Sequence, residues 1–248
     1  MKTLIHAHRG SSDSRPENTM EAFSLAVEEG ADTIELDVHL SRDGEIVVAH
    51  DAMLERVSDG TGYINDFTIK ELKSLNFNKL FPDSPVCRIP TLSEVFSLLK
   101  PASTGLNIEL KTIERIYFEL PEKLIALAKE YGMEERIIYS SFNHYSLVQI
   151  KKIKADAKTG LLYNLGLVDP WVYANYIHAH AIHPHYHIIA ALPETVEHCH
   201  EHGLKVNVWT VDSSEAVKMM LNYGVDGIIT NRAAQAIEVR NKFEKGEV

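Results

Sequence analysis

The sequence has only two cysteines, Cys87 and Cys199, in 248 residues. Two thiols cannot staple a chain of this size, so its core must come from apolar burial and its cysteines are expected to be reduced. No run of about 18 apolar residues occurs, which excludes an evident transmembrane helix. The N-terminal stretch turns polar at His6 and lacks the apolar segment of a secretory signal, making the cytoplasm the expected location. Positive charge is scarce: 25 Lys and Arg face 35 Asp and Glu, a formal net charge of −10. That balance argues against binding bulk nucleic acid, which needs a dense basic footprint. Low-complexity tracts are absent, and no G-x-G-x-x-G turn follows the first β-like run. The sequence carries no signal of oligomeric state.

What is present is a globular composition, 45% hydrophobic and 24% charged. Short β-like runs alternate with helical ones. The expected strands are Leu4–His8, Thr33–Val38, Leu106–Leu110, Arg136–Ser140, Thr159–Tyr163, Ala181–His183, Lys205–Thr210 and Gly227–Thr230. The expected helices are Met20–Glu29, Leu92–Leu99, Leu120–Tyr131, Tyr145–Ile153, Pro193–His202, Ser214–Asn222 and Ala233–Phe243. Eight such β-like runs at this length predict an α/β fold, a (β/α)8 TIM barrel filling residues 1–248 as one domain. An open doubly wound sheet is the alternative. Asn18 with Glu21 three positions on predicts a capping box at the first helix. Gly30, Gly132, Gly203 and Gly224 each follow a helical run, where a left-handed residue is wanted.

Two segments break the rhythm. In TIELDVHLSRDGEIVVAH, alternating apolar runs flank Asp43-Gly44, so Ile46–His50 is expected to return antiparallel to an extended second strand. A turn centred on Arg42 and Asp43 brings His50 back to the level of Glu35 and Asp37. The next forty residues, about 51–90, contain no clean βα unit, only a helical stretch Ile69–Leu75 capped by Thr68. This is read as a small inserted cap over the barrel mouth.

In a barrel, chemistry sits at the carboxyl ends of the strands. Glu35 and Asp37 share one strand face, and both interrupt an apolar run, as does Glu109. Three converging carboxylates require protonation, partner cations or a metal. All-oxygen ligation favours Mg²⁺ or Ca²⁺ over Zn²⁺. The bland alternative is salt bridging to rim residues such as Arg9 and Lys111. The chain has 13 histidines, so a single one says little. His8 and His50 stand apart because each ends an apolar β run beside the carboxylates, where two imidazoles can act as general acid and base. His183 and His185 are further candidates for the mouth, with structural roles equally open. Arg9 and Lys111 supply positive charge suited to a phosphate. Trp209 is either core filler or a platform for substrate carbon.

Together these residues resemble the glycerophosphodiester phosphodiesterase family. The likeness runs nearly end to end: His8-Arg9-Gly10, Pro16-Glu17-Asn18-Thr19, Glu35-Leu36-Asp37-Val38, His50-Asp51, Ile89-Pro90-Thr91-Leu92, Glu109-Leu110-Lys111, Trp209-Thr210-Val211 and Gly224-Val225-Asp226-Gly227. The resemblance implies a TIM barrel with an insertion after His50-Asp51. It implies one divalent cation, Ca²⁺ or Mg²⁺, on Glu35, Asp37 and Glu109, with His8 and His50 as the acid–base pair. Arg9 and Lys111 would bind phosphate and stabilise transition-state charge, and Phe142 and Trp209 would lie near the glycerol. Pro16–Thr19 would turn the chain into the first helix, with Glu17 behind the site. The implied substrate is a small glycerophosphodiester, such as one of choline or ethanolamine, cleaved to sn-glycerol 3-phosphate and an alcohol. Two departures stand out: Thr230-Asn231-Arg232-Ala233 replaces the common Thr-Asp-x-Pro, and Glu55-Arg56-Val57-Ser58 lacks a common Thr or Asn. Three rival readings stay open: a phospholipase D-like enzyme of lysolipids, a Schiff-base aldolase using Lys111, and a non-catalytic phosphate-ester binding barrel.

Overall fold

The structure, a computed structural model, describes residues 2–247. In chain order the strands are β1 (Leu4–His8), β2 (Thr33–Leu40), β3 (Ile46–Val48), β4 (Gly105–Leu110), β5 (Ile137–Ser141), β6 (Lys158–Tyr163), β7 (Ala181–Pro184), β8 (Lys205–Val208) and β9 (Gly227–Thr230). The helices are α1 (Met20–Glu28), α2 (Ile69–Leu72), α3 (Leu92–Leu99), α4 (Leu120–Tyr131), α5 (His144–Ile153), α6 (Pro170–Tyr176), α7 (Tyr186–Ala191), α8 (Glu194–Glu201), α9 (Ser214–Asn222) and α10 (Ala233–Glu244). All strands but β3 pair in parallel, and β1 pairs with both β9 and β2, which closes an eight-stranded barrel. The barrel is the expected one; the open sheet is excluded by the β1–β9 pairing.

Each helix is placed by its apolar face. In α3, Leu92, Val95, Phe96 and Leu99 recur at helical spacing and are all buried, while Thr91 and Glu94 form a capping box at its start. Each such side chain contributes about 1.5–3 kcal/mol by leaving water. The first helix differs from expectation. Thr19, and not Asn18, caps α1, its side chain accepting from the Ala22 amide. Asn18 sits instead in the left-handed region with φ 55° and turns its amide to Asp37. The Asn-x-x-Glu spacing suggested a cap, but the buried carboxylate is the stronger claim on that amide. The four helix-ending glycines do have positive φ, as expected. Helix α2 is shorter than expected, and α6 and α7 are short helices without a long apolar period, which the sequence pattern did not predict.

Strand β3 returns antiparallel to β2, with Val38 opposite Val48 and Leu40 opposite Ile46. The Ala49 amide continues the ladder to the Asp37 carbonyl. Continued one residue further, this register brings His50 opposite Leu36, between Glu35 and Asp37, as the hairpin arithmetic required. Residues 51–90 carry a small apolar cluster, including Leu54, Ile64, Leu72, Phe77 and Ile89, packed on Val47 and Ala49.

The barrel interior is unusually polar at mid-height. His6, Asn107, His183 and Asn207 are buried there, and His183 Nε2 lies 2.9 Å from the Asn207 amide. Gly160 makes room for this layer: a Cβ at that position would lie 2.3 Å from the His183 ring. At the amino-terminal end of the strands, Asp32 binds Lys2, Arg240 and the Ile5 amide. Asp226 there binds His200, Lys205 and the Val206 amide. The carboxyl end holds the chemistry.

Candidate active site

Strands β1, β2 and β4 are neighbours, and their carboxyl ends bring His8, Glu35, Asp37 and Glu109 to one mouth. One cavity of about 80 Å³ is lined by His8, Arg9, Glu35, His50, Glu109, Phe142 and Trp209, among others. A second, of about 130 Å³, shares His50, Glu109 and Phe142 and extends along Lys111 and Asp51 beneath the inserted segment. Every candidate site residue expected from the sequence, apart from His183, is therefore at or beside this mouth. His183 instead lies inside the barrel, fully buried against Asn207. His185 caps α7 and packs edge-on to Trp209 with centroids 5.1 Å apart.

The carboxylates Glu35, Asp37 and Glu109 are all buried, with an oxygen of each within 4.8 Å of the others. Burial and the charges of Asp37 and Glu109 push the Glu35 carboxyl well above its usual range. Burial raises Glu109 as well, Lys111 opposing it. Burial also disfavours ionised Asp37, but Lys111, Arg9 and His50 outweigh it and hold Asp37 below the usual range. Lys111 Nζ stands 2.8 Å from Glu109 and 3.7 Å from Asp37, and Arg9 Nε 3.5 Å from Asp37. The expected salt bridges thus exist alongside the cluster. They leave Asp37 Oδ1 buried with no hydrogen bond, a costly state that a cation would relieve. An all-oxygen set of three acids fits a hard divalent ion such as Mg²⁺ or Ca²⁺.

The loop after β1 is bent by Arg9 and Gly10, with φ of 58° and 81°. A Cβ on Gly10 would lie 2.7 Å from Ala22, so only glycine lets the loop lie on α1. This bend aims the Arg9 amide at Glu35 Oε2, 3.0 Å away, and its guanidinium at Glu17, 2.8 Å away.

The two histidines have different partners. His8 Nδ1 lies 2.6 Å from Asn231 Oδ1. The Asn231 side-chain amide donates to Asp212 at 2.8 Å, and its backbone amide donates to the same carboxylate at 2.9 Å. Asp212 thereby fixes which end of Asn231 faces His8, so His8 Nδ1 donates and Nε2 keeps its lone pair. Burial, reinforced by the Arg9 charge, lowers His8 to about 4. His50 Nδ1 lies 2.5 Å from Asp51 Oδ1, and this bond is the main cause of the depressed Asp51 carboxyl. His39, buried, holds the His50 carbonyl at 3.1 Å and the Tyr117 hydroxyl at 3.2 Å. Phe142 and Trp209 meet edge to face at 5.3 Å. Sequence reasoning missed Asn231, Asp212 and His39 as supports of the histidines.

The sequence model of the glycerophosphoryl diester phosphodiesterase family matches residues 8–235. A glycerophosphodiester phosphodiesterase of Caldanaerobacter subterraneus is 47% identical over 246 residues, covering 98% of this chain and 99% of that protein. One from Bacillus altitudinis is 35% identical, covering 98% and 100%. Among solved structures, an Oleispira antarctica phosphodiesterase in complex with the product sn-glycerol-3-phosphate superposes with a TM-score of 0.84. It is 27% identical and covers 97% of each chain.

Proposed function

This chain belongs to the glycerophosphoryl diester phosphodiesterase family, and we propose that it hydrolyses small glycerophosphodiesters to sn-glycerol 3-phosphate and an alcohol by two-histidine acid–base catalysis. The observation that carries the reading is the meeting of His8, His50, Glu35 and Glu109 around one small cavity, with Asp37 completing the acid cluster.

Glu35, Asp37 and Glu109 would hold one divalent cation, which when bound supplies Lewis-acid charge at a phosphate oxygen. Arg9 and Lys111, at the same level, neutralise the equatorial phosphate oxygens and the charge that develops on them. His8 is the base: its neutral Nε2 faces the cavity and takes the proton of the attacking hydroxyl. His50 is the acid: its ring is oriented through Nδ1 by Asp51, 2.5 Å away, and it protonates the leaving oxygen. Phe142 and Trp209 offer apolar faces to the glycerol carbons. A phosphate-ester binder without turnover has no need of two imidazoles flanking one small cavity, each held by its own partner, which favours the enzyme over the binding barrel.

The test is a metal-reconstituted assay over a panel of glycerophosphodiesters and lysophosphatidylcholine, with His8→Ala and His50→Ala as controls. Turnover of the small diesters, lost in both variants, supports the reading. Turnover restricted to the lysolipid would move the assignment to the phospholipase D-like alternative.

A further inference from the structure

We propose that Arg56, in the inserted segment, is a positioning residue that holds His50 and Arg9 in register with each other. This rests on the functional reading above and assigns a role to a residue that touches no reacting atom.

The Arg56 guanidinium bridges two carboxylates. Its Nε donates to Asp51 Oδ2, while Nη1 and Nη2 donate to the two oxygens of Glu17 at 2.8 and 2.7 Å. Each carboxylate is shared with a working group. Asp51 gives its other oxygen to His50 Nδ1 at 2.5 Å, and Glu17 Oε1 accepts from Arg9 Nη1 at 2.8 Å. A continuous chain of hydrogen bonds therefore runs His50–Asp51–Arg56–Glu17–Arg9, crossing from the end of the hairpin through the inserted segment to the loop after β1. It ends at the acid cluster, where Arg9 Nε stands 3.5 Å from Asp37.

The consequences for the two arms differ. Asp51 can hold the His50 ring only while its own rotation is stopped, and Arg56 pins its second oxygen. Glu17 competes with phosphate for Arg9. Arg56 takes both Glu17 oxygens, so Glu17 draws less on Arg9 and leaves more of its positive charge to the acid cluster and to a phosphate beside it. Arg56 does not belong to the small apolar cluster beneath the segment, and its side chain is 38% exposed. Removing it takes nothing from that core and leaves a gap open to solvent. The planar fork is needed: a lysine is a point charge and cannot engage two carboxylates with three directed donors.

The partition is the readout. With a glycerophosphodiester that the wild type turns over, Asp51→Asn should act mainly on kcat and Glu17→Gln mainly on KM. Arg56→Ala should move both, lowering kcat/KM about 10- to 100-fold with a melting temperature close to wild type. Arg56→Lys should not restore activity. Millimolar guanidinium should recover part of kcat in Arg56→Ala, and equal ammonium should not. Should Arg56→Ala fail to fold, Arg56→Gln keeps the stem and carries the same kcat and KM expectations. Wild-type kinetics in the Arg56 variant, full rescue by lysine, or a loss in Arg56→Ala that guanidinium leaves untouched would overturn the proposal. Absence of wild-type turnover would instead overturn the functional reading, so the two failures are told apart.

Discussion

His8 Nδ1 and Asn231 Oδ1 lie 2.6 Å apart across the β1–β9 seam that closes the barrel. A neutral amide here fixes the tautomer of the histidine without adding charge to it. Asn231→Leu should therefore lower kcat about 10- to 100-fold with little change in KM. Asn231→Asp should keep the tautomer but stabilise the imidazolium, raising His8 from about 4. A base whose pKa rises is lost at higher pH as the solution is acidified. The acidic limb of the kcat/KM profile should thus move to higher pH in Asn231→Asp, which a pH-rate series measures directly.

Burial and its two acidic neighbours push the Glu35 carboxyl well above its usual value. A divalent ion entering the cluster must displace its proton, so affinity should rise with pH, and calorimetry in buffers of different ionisation enthalpy should detect proton release. Glu35→Gln imitates the protonated form. The metal-free variant should melt no lower than the metal-free wild type, yet added Ca²⁺ or Mg²⁺ should no longer raise its melting temperature.

At the opposite end of the barrel, Asp32 and Asp226 are stabilising anchors. Burial opposes their ionisation, but an amide and cationic partners outweigh it in each, and both sit below the usual carboxylate range. A depressed carboxyl contributes stability that is present above its unfolded pKa of about 4 and is lost as pH falls through the folded value. Urea-unfolding stability should accordingly decline below about pH 4, and less steeply in Asp226→Asn. Arg240 is nearly fully buried and bonds Asp32 and the Thr3 carbonyl. Arg240→Met strands a buried acid and should cost on the order of 3 kcal/mol.

Gly160 gives a packing test. A methyl there would overlap the His183 ring, and the barrel wall cannot retreat. Gly160→Ala should destabilise by about 1–3 kcal/mol, measured by denaturant titration, with the catalytic groups unchanged in identity.

Much of the site was legible because polar residues ending apolar β runs have few structural excuses. His8, Glu35, Asp37, His50 and Glu109 each stand out against Val, Ile and Leu neighbours. The hairpin made His50 legible twice, by its run and by counting back from Asp43-Gly44. What stayed hidden depends on closure. Asn231 reaches His8 from 223 positions away, and nothing local marks that partnership. Arg56 was visible only as part of an unusual tetrapeptide, since its role arises where three separate segments meet. Asn18 shows the opposite error: a strong local pattern, Asn-x-x-Glu, was overruled by the buried Asp37 carboxylate. Helices α6 and α7 escaped because six or seven residues are too few to express a helical period.

The central claim is that one divalent ion among Glu35, Asp37 and Glu109 makes the two imidazoles productive. Glycerophosphocholine turnover should be measured on protein stripped with EDTA and back-titrated with Ca²⁺ or Mg²⁺. Loss of turnover on stripping, restored in proportion to one bound ion per chain, is the predicted result. Undiminished turnover in verified metal-free protein would contradict it.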